Sequence, residues 1–361
     1  MNVSASSSRL RTLLSGFLLV LTAGLFIWFQ WQARPEAAPA DSASPSEGTI
    51  EVFFSDPDSP AASTLRGGVD VHLAEAIGNA RYTVDVAVLR LDLWSIRDAL
   101  IEAHQRGVIV RVVTDDGYAE EDEIIDLLQA GIDVVVDSSD ALMHHKFTVI
   151  DSIDVWTGSM NYTLNGAYRH NNNLVHLHSR EAAADYSREF DEMFEDGHFS
   201  ASSVMDTPYP QISLDGVDVG IYFSPDDMAA LQIVDALESA TESIVFMAYS
   251  LTLDLIADTM LSRAAAGVIV EGVMEADQAS NSGSDVERLI EGGVDLRLDG
   301  NMDKMHHKVI IIDGEIVITG SYNFSRSAEE RNDENLLIIR SESLAAMYLA
   351  EYDRIRDQAA P

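Results

Sequence analysis

The sequence predicts an α/β protein built as two similar halves that fold against each other within one chain. Three observations carry that expectation. Short β-rich runs alternate with helical patterns, the whole pattern recurs at a fixed displacement, and 47% of the 361 residues are apolar, enough to bury a core in each half.

Taken in order, residues 13–29 form an almost unbroken apolar run with Arg9 and Arg11 before it and Trp28 and Trp31 at its far end. A run of this length can span a bilayer, with arginines on the cytoplasmic flank and tryptophans at the interface. Residues 1–33 are therefore expected to anchor the chain, with its body outside the cytoplasm. Ala38 and Ala40 form a small-x-small site, so a cleaved signal peptide and a secreted body is the rival expectation. Residues 34–48, rich in Ala, Pro, Ser and acid, read as a flexible stalk.

The first half is expected over 49–200. Its pattern predicts strands at 83–89, 108–114 and 132–136 alternating with helices at 93–105 and 120–130, a mostly parallel βαβ arrangement covered on both faces. Strands at 146–151 and 155–158 and a helix at 181–195 close it. A proline- and serine-containing connector is expected at 201–217, and the second half at 218–361, starting its series with a strand at 243–249 and ending in a helix at 343–358. Phe54-Ser55 recurs as Phe223-Ser224, and Gly107-Val108-Ile109-Val110 as Gly267-Val268-Ile269-Val270.

Composition narrows the function. Asp and Glu number 60 against 23 Lys and Arg, a net charge of −37, which resembles salt-adapted proteins and disfavours a general polyanion binder. The absence of cysteine excludes disulfides, thiolate nucleophiles and Cys-ligated metal centres. Only Lys146, Lys304 and Lys308 are lysines, so each calls for a reason.

Two of those lysines fall in the most informative motif. His144-His145-Lys146, Asp151 and Gly158-Ser159-Met160-Asn161 return as His306-His307-Lys308, Asp313 and Gly320-Ser321-Tyr322-Asn323, each displaced by 162 residues. On a strand, His144 and Lys146 share one face, as do His306 and Lys308, while His145 and His307 point the other way. Asp151 and Asp313 lie an odd number of residues from the lysines and read as structural. Paired imidazoles, ammonium groups and amides suit a phosphodiester centre. Lys and Asn hold the non-bridging oxygens while one imidazole attacks and the other protonates the leaving oxygen, with no metal or other cofactor required. One half offers one such imidazole, so the halves must face each other across a pseudo-twofold axis.

These residues resemble the signature of the phospholipase D superfamily, His-x-Lys-x4-Asp followed by Gly-Ser-x-Asn, over essentially everything after the stalk. The resemblance implies two α/β/α sandwich halves forming a pseudo-twofold dimer within one monomeric chain, and a phosphohistidine intermediate. It implies that His144 and His306 are nucleophile and general acid in some order. Lys146, Lys308, Asn161 and Asn323 would bind phosphate, supported by Ser159 and Ser321. The nuclease-like branch commonly carries a downstream Glu-Asn pair; the second half has Glu334-Asn335, the first Asn172-Asn173. A carboxylate favours imidazolium, so the expectation is that His144 faces Asn172 as the neutral nucleophile and Glu334 holds His306 as the acid.

The expected substrate is a phospholipid at a membrane surface, cleaved on its head-group side. A nucleic acid is the rival substrate, phosphatidyl transfer of the cardiolipin synthase type a second rival, and a non-catalytic scaffold a third. Asp115-Asp116, 120–123 and Asp226-Asp227 read as solvated acids in so acidic a chain. Tyr162, Phe324, Met143, Met302 and Met305 read as core, and His170, Asn171 and Asn172 as loop residues or substrate contacts.

Overall fold

The computed structural model describes residues 48–359. The predicted anchor and the body of the predicted stalk lie outside the described residues; among those described, no helix is long and apolar enough to cross a membrane.

The first half contributes strands β1 (Thr49–Phe54), β2 (Thr83–Val88), β3 (Ile109–Asp115), β4 (Asp133–Asp137), β5 (Lys146–Ile150), β6 (Asp154–Gly158), β7 (His170–Asn171) and β8 (Asn173–His178). Its principal helices are α1 (Asp70–Asn79), α2 (Trp94–Gln105), α3 (Asp122–Gln129) and α4 (Arg180–Phe194). The second half supplies β9 (Gln211–Leu214), β10 (Val217–Ser224), β11 (Ser243–Ala248), β12 (Ile269–Met274), β13 (Asp295–Leu298), β14 (Lys304–Met305), β15 (Lys308–Ile312), β16 (Ile316–Gly320) and β17 (Glu334–Arg340). Helices α5 (Ala229–Glu238), α6 (Asp254–Ala265), α7 (Val286–Glu291) and α8 (Glu342–Gln358) accompany them.

One sheet runs β1-β8-β6-β5-β2-β3-β4 and the other β13-β12-β11-β15-β16-β17-β10-β9, the same order apart from the extra β9. The expected mostly parallel sheet is corrected here. Only β2-β3-β4 and β11-β12-β13 pair in parallel, and all other strand pairings within the two large sheets are antiparallel. The physical reason is loop length: helical crossovers return the chain in parallel, whereas the tight turns after β5 and β15 reverse it. The predicted connector is also corrected, because β9 lies inside it and pairs antiparallel with β10.

Alternation along each strand divides the core. Val84, Val86 and Val88 of β2 face outward onto Leu73, Ile77, Ile96, Leu100, Ile124 and Leu127 of α1 to α3. Ala87, with Phe147 and Val149 of β5, faces inward into a cluster that also holds Phe190 of α4, Tyr348 of α8 and Val309 and Ile311 of β15. The two halves thus share one central core, with α4 and α8 between the sheets. Ser179 and Ser341 start these two helices by accepting the N–H groups of Ala182 (3.2 Å) and Leu344 (3.3 Å).

Asp151 and Asp313 brace the tight turns. Asp151, at φ 51°, accepts the backbone N–H groups of Arg81, Tyr82 and Thr83 at 2.9, 2.7 and 3.0 Å. Asp313 does the same for Thr241, Glu242 and Ser243, each at 2.8 Å. Each carboxylate pins the reversal after the Lys-bearing strand to the start of the neighbouring strand, away from the lysine.

Candidate active site

Both His-Lys motifs sit at the seam between the halves, and backbone hydrogen bonds cross it. The His144 N–H donates to Asp333 O and the His306 N–H to Asn171 O, at 3.0 and 2.9 Å. Strands β14 and β7 pair in parallel, Lys304 opposite His170 and Met305 opposite Asn171, and an isolated bridge joins Met143 to Asp333 in the equivalent place. The segment leading into each histidine is therefore held as an extra strand against the other half.

This crossing decides the histidines' partners and corrects the expected pairing. His144 Nδ1 lies 2.7 Å from Glu334 Oε2, while His306 Nδ1 lies 2.9 Å from Asn172 Oδ1 and 3.1 Å from Ser159 O. The orienting residues at the ends of β8 and β17 serve the imidazole of the opposite half. Asn172 Nδ2 donates to Gly166 O at 2.9 Å, which turns its oxygen towards His306. Facing only acceptors, the Nδ1 of each ring carries the proton and Nε2 is left for chemistry.

The two serines complete the same network. Ser159 Oγ donates to Asn172 Oδ1 (2.9 Å) and accepts from the Asn173 N–H (3.0 Å); Ser321 Oγ donates to Glu334 Oε2 (2.7 Å) and accepts from the Asn335 N–H (2.9 Å). Glycine precedes each serine for a steric reason. Gly158 has φ 140°, and a Cβ there would meet Asn173 O at 2.5 Å. Gly320, at φ 145°, would likewise collide with Asn335 O.

Lys146 and Lys308 are buried to 1% exposure, with Nζ donating to His144 O at 2.5 Å and to His306 O at 2.9 Å; Lys308 Nζ also lies 3.2 Å from His306 Nε2. Burial pushes the Lys146 ammonium down to about 7 and holds Lys308 well below the usual lysine range, where Lys146 adds repulsion. Burial lowers His144 to about 4, outweighing Glu334, and holds His306 well below the ordinary histidine range, reinforced by Lys308, Lys146, His170 and His144. That mutual influence sets all four motif side chains in one electrostatic neighbourhood. An anion entering among them restores the charge that burial disfavours. Asn161 and Asn323 are half-buried, each with its Oδ1 buried and unpartnered.

His145 and His307 face away, as strand alternation requires, and bond Glu189 (2.8 Å) and Glu351 (3.1 Å) of α4 and α8. Asn335 Nδ2 reaches His145 Nδ1 and Asn173 Nδ2 reaches His307 Nδ1, both at 3.3 Å, so the asparagines also stitch across the seam. Tyr162, Phe324, Met143 and Met305 are wholly buried as expected, whereas Met302, also expected in the core, is wholly exposed, a correction.

Several residues near the site are not assigned to it by sequence. Asp115, read as solvated, is only 3% exposed and accepts the Met143 N–H at 3.1 Å, because this lead-in backbone needs a buried acceptor. Tyr249 packs edge-on against His306, with ring centroids 4.6 Å apart. Asp154, His176 and His178 bring donor atoms together within 4.8 Å, a metal-ligating type of set. They lie on β6 and β8 towards the end opposite Asn173 and already bond one another.

Two α/β lobes that bring paired His-x-Lys and Gly-Ser-x-Asn sets together at one seam define the phospholipase D class of fold and site. The family model described as cardiolipin synthase, PLD-like domain, matches residues 73–194 and 233–356, and the chain belongs to that family. Over 126 residues it is 33% identical to a mitochondrial cardiolipin hydrolase of Chlamydomonas reinhardtii, spanning 35% of this chain and 56% of that protein. Over 154 residues it is 33% identical to a phospholipase D of Rickettsia prowazekii, 43% of this chain and 75% of that one. Phosphatidylserine synthase of Haemophilus influenzae shares the two-lobed fold, with a TM-score of 0.64 and 15% identity over 86% of this chain and 87% of that chain.

Proposed function

We propose that the protein is a metal-independent phosphodiesterase that cleaves phospholipids on the head-group side through a phosphohistidine on His144. The observation that carries this reading is the crossed pairing across the seam, His144 with Glu334 and His306 with Asn172. Kinship with proteins named phospholipase D and cardiolipin hydrolase supports a lipid substrate. The apolar run at 13–29 supports a body tethered at the outer membrane surface.

In the proposed reaction, neutral His144 attacks phosphorus through Nε2, forming an N–P bond as the bond to the head-group oxygen breaks. The attack makes the imidazole cationic, and Glu334 stabilises that charge at Nδ1 while holding the tautomer. Glu334 thus favours His144 as nucleophile for a reason opposite to the one the sequence suggested. With the bound phosphate restoring positive charge to the site, His306 takes up a second proton at Nε2 and, as an imidazolium, gives it to the departing head-group alcohol. It then takes a proton from water, whose oxygen attacks phosphorus, breaks the N–P bond and releases phosphatidate. Lys146, Lys308, Asn161 and Asn323 hold the non-bridging oxygens throughout.

The test offers phosphatidylcholine vesicles, bis(p-nitrophenyl) phosphate and single-stranded DNA to the full chain in high salt with chelator. Lipid hydrolysis that survives chelation is the expected result. Turnover of DNA alone would replace the lipid substrate with nucleic acid, and activity restored only by a divalent ion would overturn metal independence.

A further inference from the structure

The outer face of the first sheet carries a donor set that the reaction does not use. Strand register places Asp154 of β6 opposite His178 of β8 and Trp156 opposite His176, while β1 sets Glu51 opposite His176. In the second half the same positions, 162 residues on, hold Ile316, Ile338 and Arg340, and Gly220 lies where Glu51 does. An aliphatic pair fills the sheet there, so the fold itself does not require imidazoles and carboxylates at this place.

We propose that Asp154, His176 and His178 form a surface site for one divalent transition cation of the zinc type, with Glu51 as the carboxylate that orients His176.

Asp154 Oδ1 lies 2.8 Å from His176 Nε2 and 2.6 Å from His178 Nδ1, and the three donor atoms all fall within 4.8 Å of one another. Zinc bonds of about 2.0–2.2 Å set tetrahedral ligands roughly 3.4 Å apart. Small rotations of these half-buried side chains therefore seat an ion where hydrogens now lie between them. Two imidazole nitrogens and one carboxylate oxygen suit a zinc-type cation better than Mg²⁺ or Ca²⁺, which favour shells of oxygen alone. The His178 side chain is 35% exposed, which leaves the solvent side open to water as a further ligand.

The surroundings of His176 fit the same role. Glu51 Oε2 lies 3.1 Å from Nδ1, the ring nitrogen that does not face Asp154. A carboxylate there keeps the proton on Nδ1 and presents Nε2 as a lone pair to the metal. Trp156, buried beneath, stacks on His176 with centroids 4.4 Å apart and planes at 10°, which fixes the ring plane. A net charge of −37 concentrates cations around the whole chain, and this set supplies the nitrogen donors that select among them.

Asp154 stands four residues before Gly158, about 13 Å along the strand from the serine end of the active site. The ion thus plays no part in phosphoryl chemistry. It ties β6 to β8 directly and, through Glu51, holds the edge strand β1 against them.

The test titrates Zn²⁺ by calorimetry into the full chain, stripped of metal and kept in high salt. One zinc per chain is expected to bind at least about 100-fold tighter than Mg²⁺ or Ca²⁺, and the urea midpoint to be higher in zinc than in chelator. Asp154→Asn and His178→Gln are each expected to abolish that binding, and Glu51→Gln to weaken it about tenfold. Zinc binding that survives Asp154→Asn and His178→Gln, equal affinity for Mg²⁺ and Zn²⁺, or no tight uptake at all would overturn the site. A second measurement needs no variant, because diethyl pyrocarbonate adducts can be mapped by mass on the wild type. Zinc is expected to protect His178 from modification, and full reactivity of His178 in saturating zinc would overturn the proposal.

Discussion

Glu334 holds His144 across the seam at 2.7 Å, although His306 is the histidine of its own half. The carboxylate therefore acts on the opposite imidazole, and two substitutions separate its role from that of Asn172. Glu334→Gln keeps the shape but removes the charge that stabilises the cationic phosphoimidazole, so kcat is expected to fall by about 100-fold or more. Because Glu334 raises His144 while burial lowers it to about 4, the acid limb of the kcat/KM profile should move to lower pH as the plateau drops. Asn172→Asp adds a carboxylate facing His306. That raises the pKa of the general acid, keeps it protonated further up the scale and shifts the alkaline limb of kcat upward. A pH–rate series on both variants checks these directions; an alkaline limb that moves up in Glu334→Gln would contradict the pairing.

Burial lowers both rear histidines, His145 and His307, but their carboxylate partners differ in charge state. Glu351 is held below the ordinary carboxylate range by His307 and Arg354, despite burial. Among the described residues Glu189 has no arginine partner, and burial lifts it far above that range while lowering His145. The first is an ionic network, the second a neutral pair. Glu189→Gln is expected to cost about 1 kcal/mol or less, and Glu351→Gln about 2 kcal/mol or more, since it strips the charge that Arg354 was placed to meet. Urea denaturation near neutral pH measures both; equal losses would show that the two sites share one charge state.

Much of this was legible from residue order. The βα alternation located β2, β3, β4, α2 and α3 to within two residues at each end, because their apolar periodicity is strong and glycines mark their ends. The displacement of 162 residues identified both His-Lys sets. What sequence spacing does not carry is which strand end faces which histidine. Asn172 and Glu334 were assigned within their own halves, and the crossed contacts of Asp333 with His144 and of Asn171 with His306 reverse that. Sheet direction after β4 was hidden for a related reason: a short apolar run reads the same parallel or antiparallel, and only its turn decides. Asp115 was concealed by the abundance of exposed acids. Tyr249 was concealed because the repeat breaks there, with Leu89 in its place.

Gly158 carries the strain of bringing Ser159 under Asn173. Gly158→Ala combines an unfavourable φ with a Cβ 2.5 Å from Asn173 O, and a loss of about 2–4 kcal/mol is expected. Since the same strand end carries Asn172, activity should fall in the material that remains folded. Denaturant melts alongside specific activity per folded molecule test this, and an unchanged midpoint would show that the close approach is not required.

Rapid quenching of the enzyme during turnover of bis(p-nitrophenyl) phosphate, followed by mass mapping of the phosphoryl adduct in wild type, His144→Ala and His306→Ala, bears most directly on whether both imidazoles serve one phosphorus. The account predicts an adduct on His144 alone, absent in His144→Ala. In His306→Ala the adduct should accumulate, because p-nitrophenol leaves unaided while water then lacks its base. An adduct on His306, or normal turnover in either variant, would contradict it.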